Sequence, residues 1–214
     1  MAIIPKIKCL AFDLGRVLFD FDYNIALDKI KNKAIIPQDK VIEELFYRDF
    51  AADFERGLIT DYDFYLKFKK AFSPSLGYSE FIDAWCDIFS PKEEVIDLVR
   101  RLKAAYPVYL ISNINELHFD YLKSKYSSVF SLFDGLILSY KVKSIKPENG
   151  IYEELKKVSG ENYENIVYID DREDLISQAR NLNLQCIKFT GSEKLIVELN
   201  LFNVAIPKTK ETSQ

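Results

Sequence analysis

From about Pro91 onward the chain alternates short, nearly continuous apolar runs with amphipathic segments, and this alternation constrains the fold more than any other feature. The runs are PVYLIS (107–112), GLILS (135–139), IVYID (166–170) and QCIKF (185–189). Unbroken apolar character suits strands buried on both faces, as in a parallel sheet. Between them, EEVIDLVRRLKA, NELHFDYLKSKY, NGIYEELKKV and EDLISQARNL carry apolar residues at helical spacing, so the segment reads as a series of βα units. IKCLAFDL near the N-terminus supplies a fifth strand.

Residues 21–90 break the rhythm: no strand is recognisable there, whereas several stretches have helical periodicity. Phe46, Phe50 and Phe54 are spaced by four, as are Phe64, Phe68 and Phe72, and again Phe81, Trp85 and Phe89. Each set places aromatic rings on one helix face, for packing inside a bundle, with one or two at its rim available to line a pocket. Pro37, Gly57, Pro74 and Gly77 mark the turns. The expected organisation is a core of residues 1–20 and 91–206, an inserted helical subdomain of residues 21–90, and a frayed polar tail of residues 207–214.

At 214 residues and 48% hydrophobic, the chain has material for one substantial core and a smaller subdomain. A net charge of −4 offers no general attraction to a polyphosphate backbone, so nucleic acid is not expected as a partner, and the run KIKNK (Lys29 to Lys33) reads as a solvated helix face. Cys9, Cys86 and Cys186 are odd in number and lack CxxC spacing, which predicts buried thiols in place of a disulfide or zinc site. Pro5 and two lysines interrupt the apolar start, which excludes a signal-peptide core or membrane span there and makes cytoplasm the expected location. His118, the single histidine, sits on an amphipathic helix and reads as a surface or packing residue, which argues against a histidine triad.

Open parallel sheets bind ligands outside the carboxyl ends of their strands. There the first strand delivers Asp13, the second Ser112 and Asn113, and the fourth Asp170 and Asp171; the loop after the third carries Lys146. This set suits phosphoryl transfer, in which the protein positions phosphorus and neutralises its oxygens. Asp13 can serve as nucleophile, and with Asp170 and Asp171 it forms an all-oxygen cluster fit for Mg²⁺. Ser112 and Lys146 can hold phosphoryl oxygens. Singly, each residue has an ordinary reading as a cap or loop residue; their ordered occurrence at βα junctions does not.

AFDLGRVLFD, VYLISN, SIKPENGIY and IVYIDDREDL resemble the four ordered motifs of the haloacid dehalogenase (HAD) superfamily, over roughly residues 7 to 190. The helical insertion is similar to the C1 cap of subfamily I, and DLGRVLFDFD, FERGLIT and LISNIN resemble bacterial α-glucose-1-phosphate phosphatases. The resemblance implies a three-layer α/β/α Rossmann-like core with a helical lid. It also implies a Mg²⁺-dependent phosphatase of a small phosphorylated metabolite, a hexose 1-phosphate being favoured, working as monomer or homodimer. Carried over by position, Asp13 is the nucleophile, Ser112 and Asn113 contact substrate and Lys146 is the motif-three lysine. Asp170 and Asp171 are the metal acids, Asp171 the surer ligand, with a main-chain oxygen from Gly15.

One departure matters. The usual phosphatase pattern is DxDG, whose second Asp protonates the leaving oxygen and later activates water, but this chain reads Asp13-Leu14-Gly15-Arg16. Its absence implies a substitute acid, a good leaving group, or lost catalysis; restoring it as Gly15→Asp is expected to help poor leaving groups most. Asp20 and Asp22 are candidate substitutes, with helix capping or hinge polarity as the alternative. Arg16 contacts phosphate or points to solvent, with the balance toward solvent. Two other functions stay open: a metal-free 2-haloacid dehalogenase, against which the Asp170–Asp171 pair argues, and a non-catalytic phosphometabolite-binding protein.

Overall fold

The computed structural model describes residues 6–35, 40 and 49–208. Five parallel strands, β1 (Cys9–Phe12), β4 (Val108–Ser112), β5 (Gly135–Leu138), β6 (Ile166–Asp170) and β7 (Gln185–Lys188), form a sheet in the order β5-β4-β1-β6-β7. β1 lies at its centre, with Leu10 opposite Val108 on one side and Val167 on the other. Alternate residues of β1 face opposite layers. Leu10 and Phe12 pack with α5 (Glu93–Leu102), α6 (Glu116–Lys125) and α11 (Ser192–Leu201). Cys9 and Ala11 face α9 (Asn149–Ser159) and α10 (Glu173–Asn181), through residues such as Ile151, Leu155, Ile176 and Ala179. The result is the expected three-layer α/β/α core.

A separate hydrophobic cluster is built by α1 (Tyr23–Ile30), α2 (Asp49–Glu55), α3 (Asp61–Phe72) and α4 (Tyr78–Cys86). Phe54, Phe64, Phe68, Phe72, Phe81 and Trp85 are all buried in it, as their spacing predicts. Thr60 caps α3 by accepting from the Asp63 N–H. Phe46 and Pro37 lie outside the described residues, as do positions 209–214 of the predicted tail, at whose start the Pro207 carbonyl accepts from Arg101 Nε at 2.8 Å.

Three expectations are corrected. The region read as strandless is bounded by an antiparallel ribbon, β2 (Phe19–Phe21) with β3 (Phe89–Pro91), pairing Phe21 with Phe89. Phe89 therefore leaves the helical set of Phe81 and Trp85: α4 ends at Cys86, and Asp87 takes a non-helical conformation. Three-residue strands are too short to show a period of two. Helix α11, not foreseen, buries Leu195 and Leu199 but exposes Val197 and Leu201, so its apolar residues mark no single face.

The remaining elements are α7 (Ser127–Phe130) and α8 (Ser139–Val142). The three cysteines are free and buried. Among the described residues no helix is long and apolar enough to cross a membrane.

Candidate active site

Asp13 is the first residue beyond β1, and its N–H still bonds to the Ile169 carbonyl (2.9 Å), so the sheet itself fixes its backbone. Lys146 arrives from the loop between α8 and α9 and is almost completely buried. Its three N–H bonds find three acceptors: Asp13 Oδ1 at 2.7 Å, Asp170 Oδ2 at 2.7 Å and the Ile111 carbonyl at 3.2 Å. Asn113 holds this loop at both ends of its amide. Its Nδ2 donates to the Lys146 carbonyl (3.0 Å) and its Oδ1 accepts from the Lys146 N–H (2.7 Å). Expected as a substrate contact, Asn113 lines the cavity while its carboxamide is spent on positioning Lys146.

The two acids after β6 differ. Asp170 is fully buried; its Oδ1 accepts from the Arg172 N–H at 2.9 Å, and its Oδ2 also accepts from the Tyr168 hydroxyl. Asp171 is half-buried and faces the cavity. One oxygen from each of Asp13, Asp170 and Asp171 lies within 4.8 Å of the others. Three carboxylates against one ammonium leave two negative charges at a poorly solvated place, a set that fits a hard divalent cation. Burial is the main force pushing the Asp13 carboxyl up, against the pull of Lys146. The two facing carboxylates outweigh burial at Lys146 and hold it above the usual ammonium range, so it stays charged. Burial, then Asp170, raises Asp171.

A cavity of about 310 Å³ opens over these groups, lined by Asp13, Lys146, Asp171, Arg172, Asn113 and Glu55 among others. A narrower one of about 60 Å³ continues beside it, past Ser112, Tyr23, Phe89 and His118. Gly15, Phe21, Asn113 and Glu55 border both. The rim aromatics are thus Phe21, Tyr23 and Phe89, from the ribbon and the start of α1.

Neither candidate substitute acid lines these cavities. Asp22 caps α1 by accepting from the Asn24 N–H (2.9 Å), and Asp20 pairs with Lys92 at 2.6 Å. Asp174, in the first turn of α10, pairs at 2.6 Å with Arg172, which lines the larger cavity. Arg16 takes a left-handed φ of 60°, and its guanidinium lies 4.3 Å over the Phe21 ring at the edge of the cavity, so it is not simply solvated. Phe21 also occupies the space beside Gly15: a Cβ there would meet its Cε1 at 3.0 Å, so Gly15→Asp requires that ring to yield.

The resemblance singled out FERGLIT (54–60) but gave Glu55, the last residue of α2, no role, because sequence does not tell which way α2 points relative to a strand end some forty residues earlier. His118 is buried against the rings of Trp85, Phe89 and Tyr23. Its neutral tautomer follows from its partners: Asn115 Nδ2 donates to Nδ1 (3.2 Å), and Nε2–H donates to the Trp85 carbonyl (3.1 Å).

A parallel sheet with a buried Asp–Lys pair and an acid cluster at its carboxyl edge defines a class of hydrolase. The chain belongs to the haloacid dehalogenase-like hydrolases, whose family model matches residues 7–183. It is similar to a D-ribitol-5-phosphate phosphatase of Bacteroides thetaiotaomicron, 24% identical over 84% of this chain and 90% of that protein. It is also 24% identical, over 92% of its length, to the drimenol cyclase DrtB of Aspergillus calidoustus, of which it spans only 37%. Among solved structures, a HAD family enzyme of B. thetaiotaomicron superposes with a TM-score of 0.81 at 24% identity, over 92% of this chain and 99% of that one. A mutant of that enzyme in complex with magnesium and inorganic phosphate superposes at 0.78, with 26% identity over 86% and 94% of the two chains.

Proposed function

We propose that the protein is a magnesium-dependent phosphatase of small phosphorylated metabolites that works through an aspartyl-phosphate on Asp13. The observation that supports this most is the buried Asp13–Lys146 pair, 2.7 Å apart, beside two further carboxylates at the same sheet edge. An Asp13 oxygen attacks phosphorus as the bond to the leaving oxygen breaks; water then attacks the same phosphorus, releasing phosphate and regenerating Asp13. Ser112 holds phosphoryl oxygens, Lys146 offsets the negative charge around Asp13, and Asn113 keeps Lys146 in place. Mg²⁺ would be held by Asp13, Asp171 and the Gly15 carbonyl with Asp170 behind them, and would neutralise charge on the phosphoryl group. Residues 21–90 act as a cap over a core of residues 1–20 and 91–206, with residues 207–214 as a tail. Substrates are sugar or polyol phosphates; a hexose 1-phosphate matches the motif resemblance, and ribitol 5-phosphate is the substrate named for the Bacteroides relative.

The test is hydrolysis of a panel of hexose 1-phosphates, polyol phosphates and 4-nitrophenyl phosphate, with Mg²⁺ and with EDTA. Mg²⁺-dependent phosphate release that disappears in Asp13→Asn is the expected outcome. Halide release from 2-chloropropionate without metal, and no phosphate release, would replace this reading with a dehalogenase.

A further inference from the structure

Gly15 supplies no carboxyl and the Phe21 ring abuts it, 3.0 Å from where a Cβ would stand, so a proton donor has to come from another residue. Glu55 is placed to be that residue. It borders both the cavity that holds Asp13, Lys146 and Asp171 and the narrower one walled by Tyr23, Phe89 and His118. A phosphate ester lying with phosphorus at Asp13 and its organic part toward the aromatic wall would pass its bridging oxygen along that shared border.

The position is held firmly. The Glu55 carbonyl accepts from the buried Ser139 hydroxyl at 2.6 Å. The next residue, Arg56, pairs with Glu148 at 2.5 Å, and the Gly57 carbonyl accepts from Lys143 Nζ at 2.6 Å. Three consecutive residues of the insertion are thus tied to the core flanking Lys146. The Glu55 carboxylate itself has no hydrogen bond or ion pair among the described residues. It faces Arg172, Lys146, Arg56 and Tyr23 at longer range. Its half-buried setting pushes it up to about 7, where both protonation states are populated near neutral pH.

We propose that Glu55 is the general acid and base of the reaction, in place of the absent carboxylate at position 15; this rests on the phosphatase reading. In the first step Asp13 attacks phosphorus, the bond to the leaving oxygen breaks, and the Glu55 carboxyl gives its proton to that oxygen. In the second, the Glu55 carboxylate takes a proton from water, whose oxygen attacks the acyl phosphate; the bond to Asp13 breaks, and Glu55 ends protonated, ready for another cycle.

The test is the pre-steady-state kinetics of Glu55→Gln, which keeps size and shape, on 4-nitrophenyl phosphate and on a polyol phosphate. A nitrophenolate leaving group needs no proton, so the variant should still release a burst of about one equivalent per site and then stall as phosphoenzyme. With the polyol phosphate the burst should vanish and turnover fall roughly 10²–10⁴-fold. Glu55→Asp should recover part of the loss. Loss of both bursts would overturn the proposal, because Glu55 would then serve the attack itself, as would unchanged turnover on both substrates. Wild-type protein that hydrolyses neither substrate would instead overturn the phosphatase reading on which the proposal stands.

Discussion

At the scale of single residues, two buried groups, Lys146 and His118, have a partner for each of their side-chain polar atoms. Lys146 has three acceptors for three protons, and His118 has a donor for one nitrogen and an acceptor for the other. His118 carries a measurable consequence. Burial is the dominant cause lowering it from 6.5 to about 4, with the Trp85 carbonyl pulling the other way. In that window the unfolded chain binds more protons than the native one, so stability rises with pH between about 4 and 6.5 and is lost as pH falls through it. The loss from this residue should be about 3 kcal/mol by pH 4. Urea unfolding of wild type and His118→Gln across that range should show a steeper pH slope for wild type; parallel curves would mean that the imidazole is not desolvated. Asp13, Ser112, Asn113, Lys146, Asp170 and Asp171 were legible because each follows a readable strand or its loop. The family resemblance made Asp171 the surer ligand of the acidic pair; what encloses Asp170 was not legible, since it depends on Tyr168 and the Arg172 N–H.

At the scale of elements, the seam between insertion and core decides how the cavities are shaped. Ser139, at the start of α8, accepts from the Ile114 N–H at 2.9 Å and has one proton for two carbonyls, that of Glu55 being the nearer. Ser139→Ala leaves a buried N–H and a carbonyl without that partner and should cost about 1–3 kcal/mol. Thermal unfolding would register it, and faster amide exchange at Ile114 and through α2 would place it at the seam; loss of stability without faster exchange there would argue against the seam. Gly57 is required at the same junction: its φ is +64°, and a Cβ would meet the Tyr140 carbonyl at 2.6 Å. Aromatic spacing revealed α3 and α4 because their rings recur every fourth residue on one face. It misassigned Phe89, because a ring following a helix by the same interval looks no different in sequence when the backbone has already turned into a strand.

At the scale of the whole molecule, two hydrophobic cores meet over an electrically unbalanced edge. Three carboxylates and one ammonium should make the native state take up Mg²⁺ with phosphate. Ligands at 100 times their dissociation constant should stabilise it by about 2.7 kcal/mol. Calorimetry with and without Mg²⁺ and phosphate should show the shift in Tm, and Asp171→Asn should abolish it; a shift that survives the substitution would put the ion elsewhere. The parallel sheet was legible because strands buried on both faces leave unbroken apolar runs. The joint between the cores was not, because it is a three-residue hairpin stem. That stem has a further consequence. The chain leaves the core at Phe21 and returns at Phe89, directly across the ribbon, and the Asp22 N–H still bonds to the Ile88 carbonyl at 3.1 Å. The two ends are a strand spacing of about 4.8 Å apart. The described residues between Asp22 and Ile88 therefore enter and leave through one stem, and their further ties to the core at Glu55, Arg56 and Gly57 are made by side chains and carbonyls away from the five-stranded sheet's own ladder.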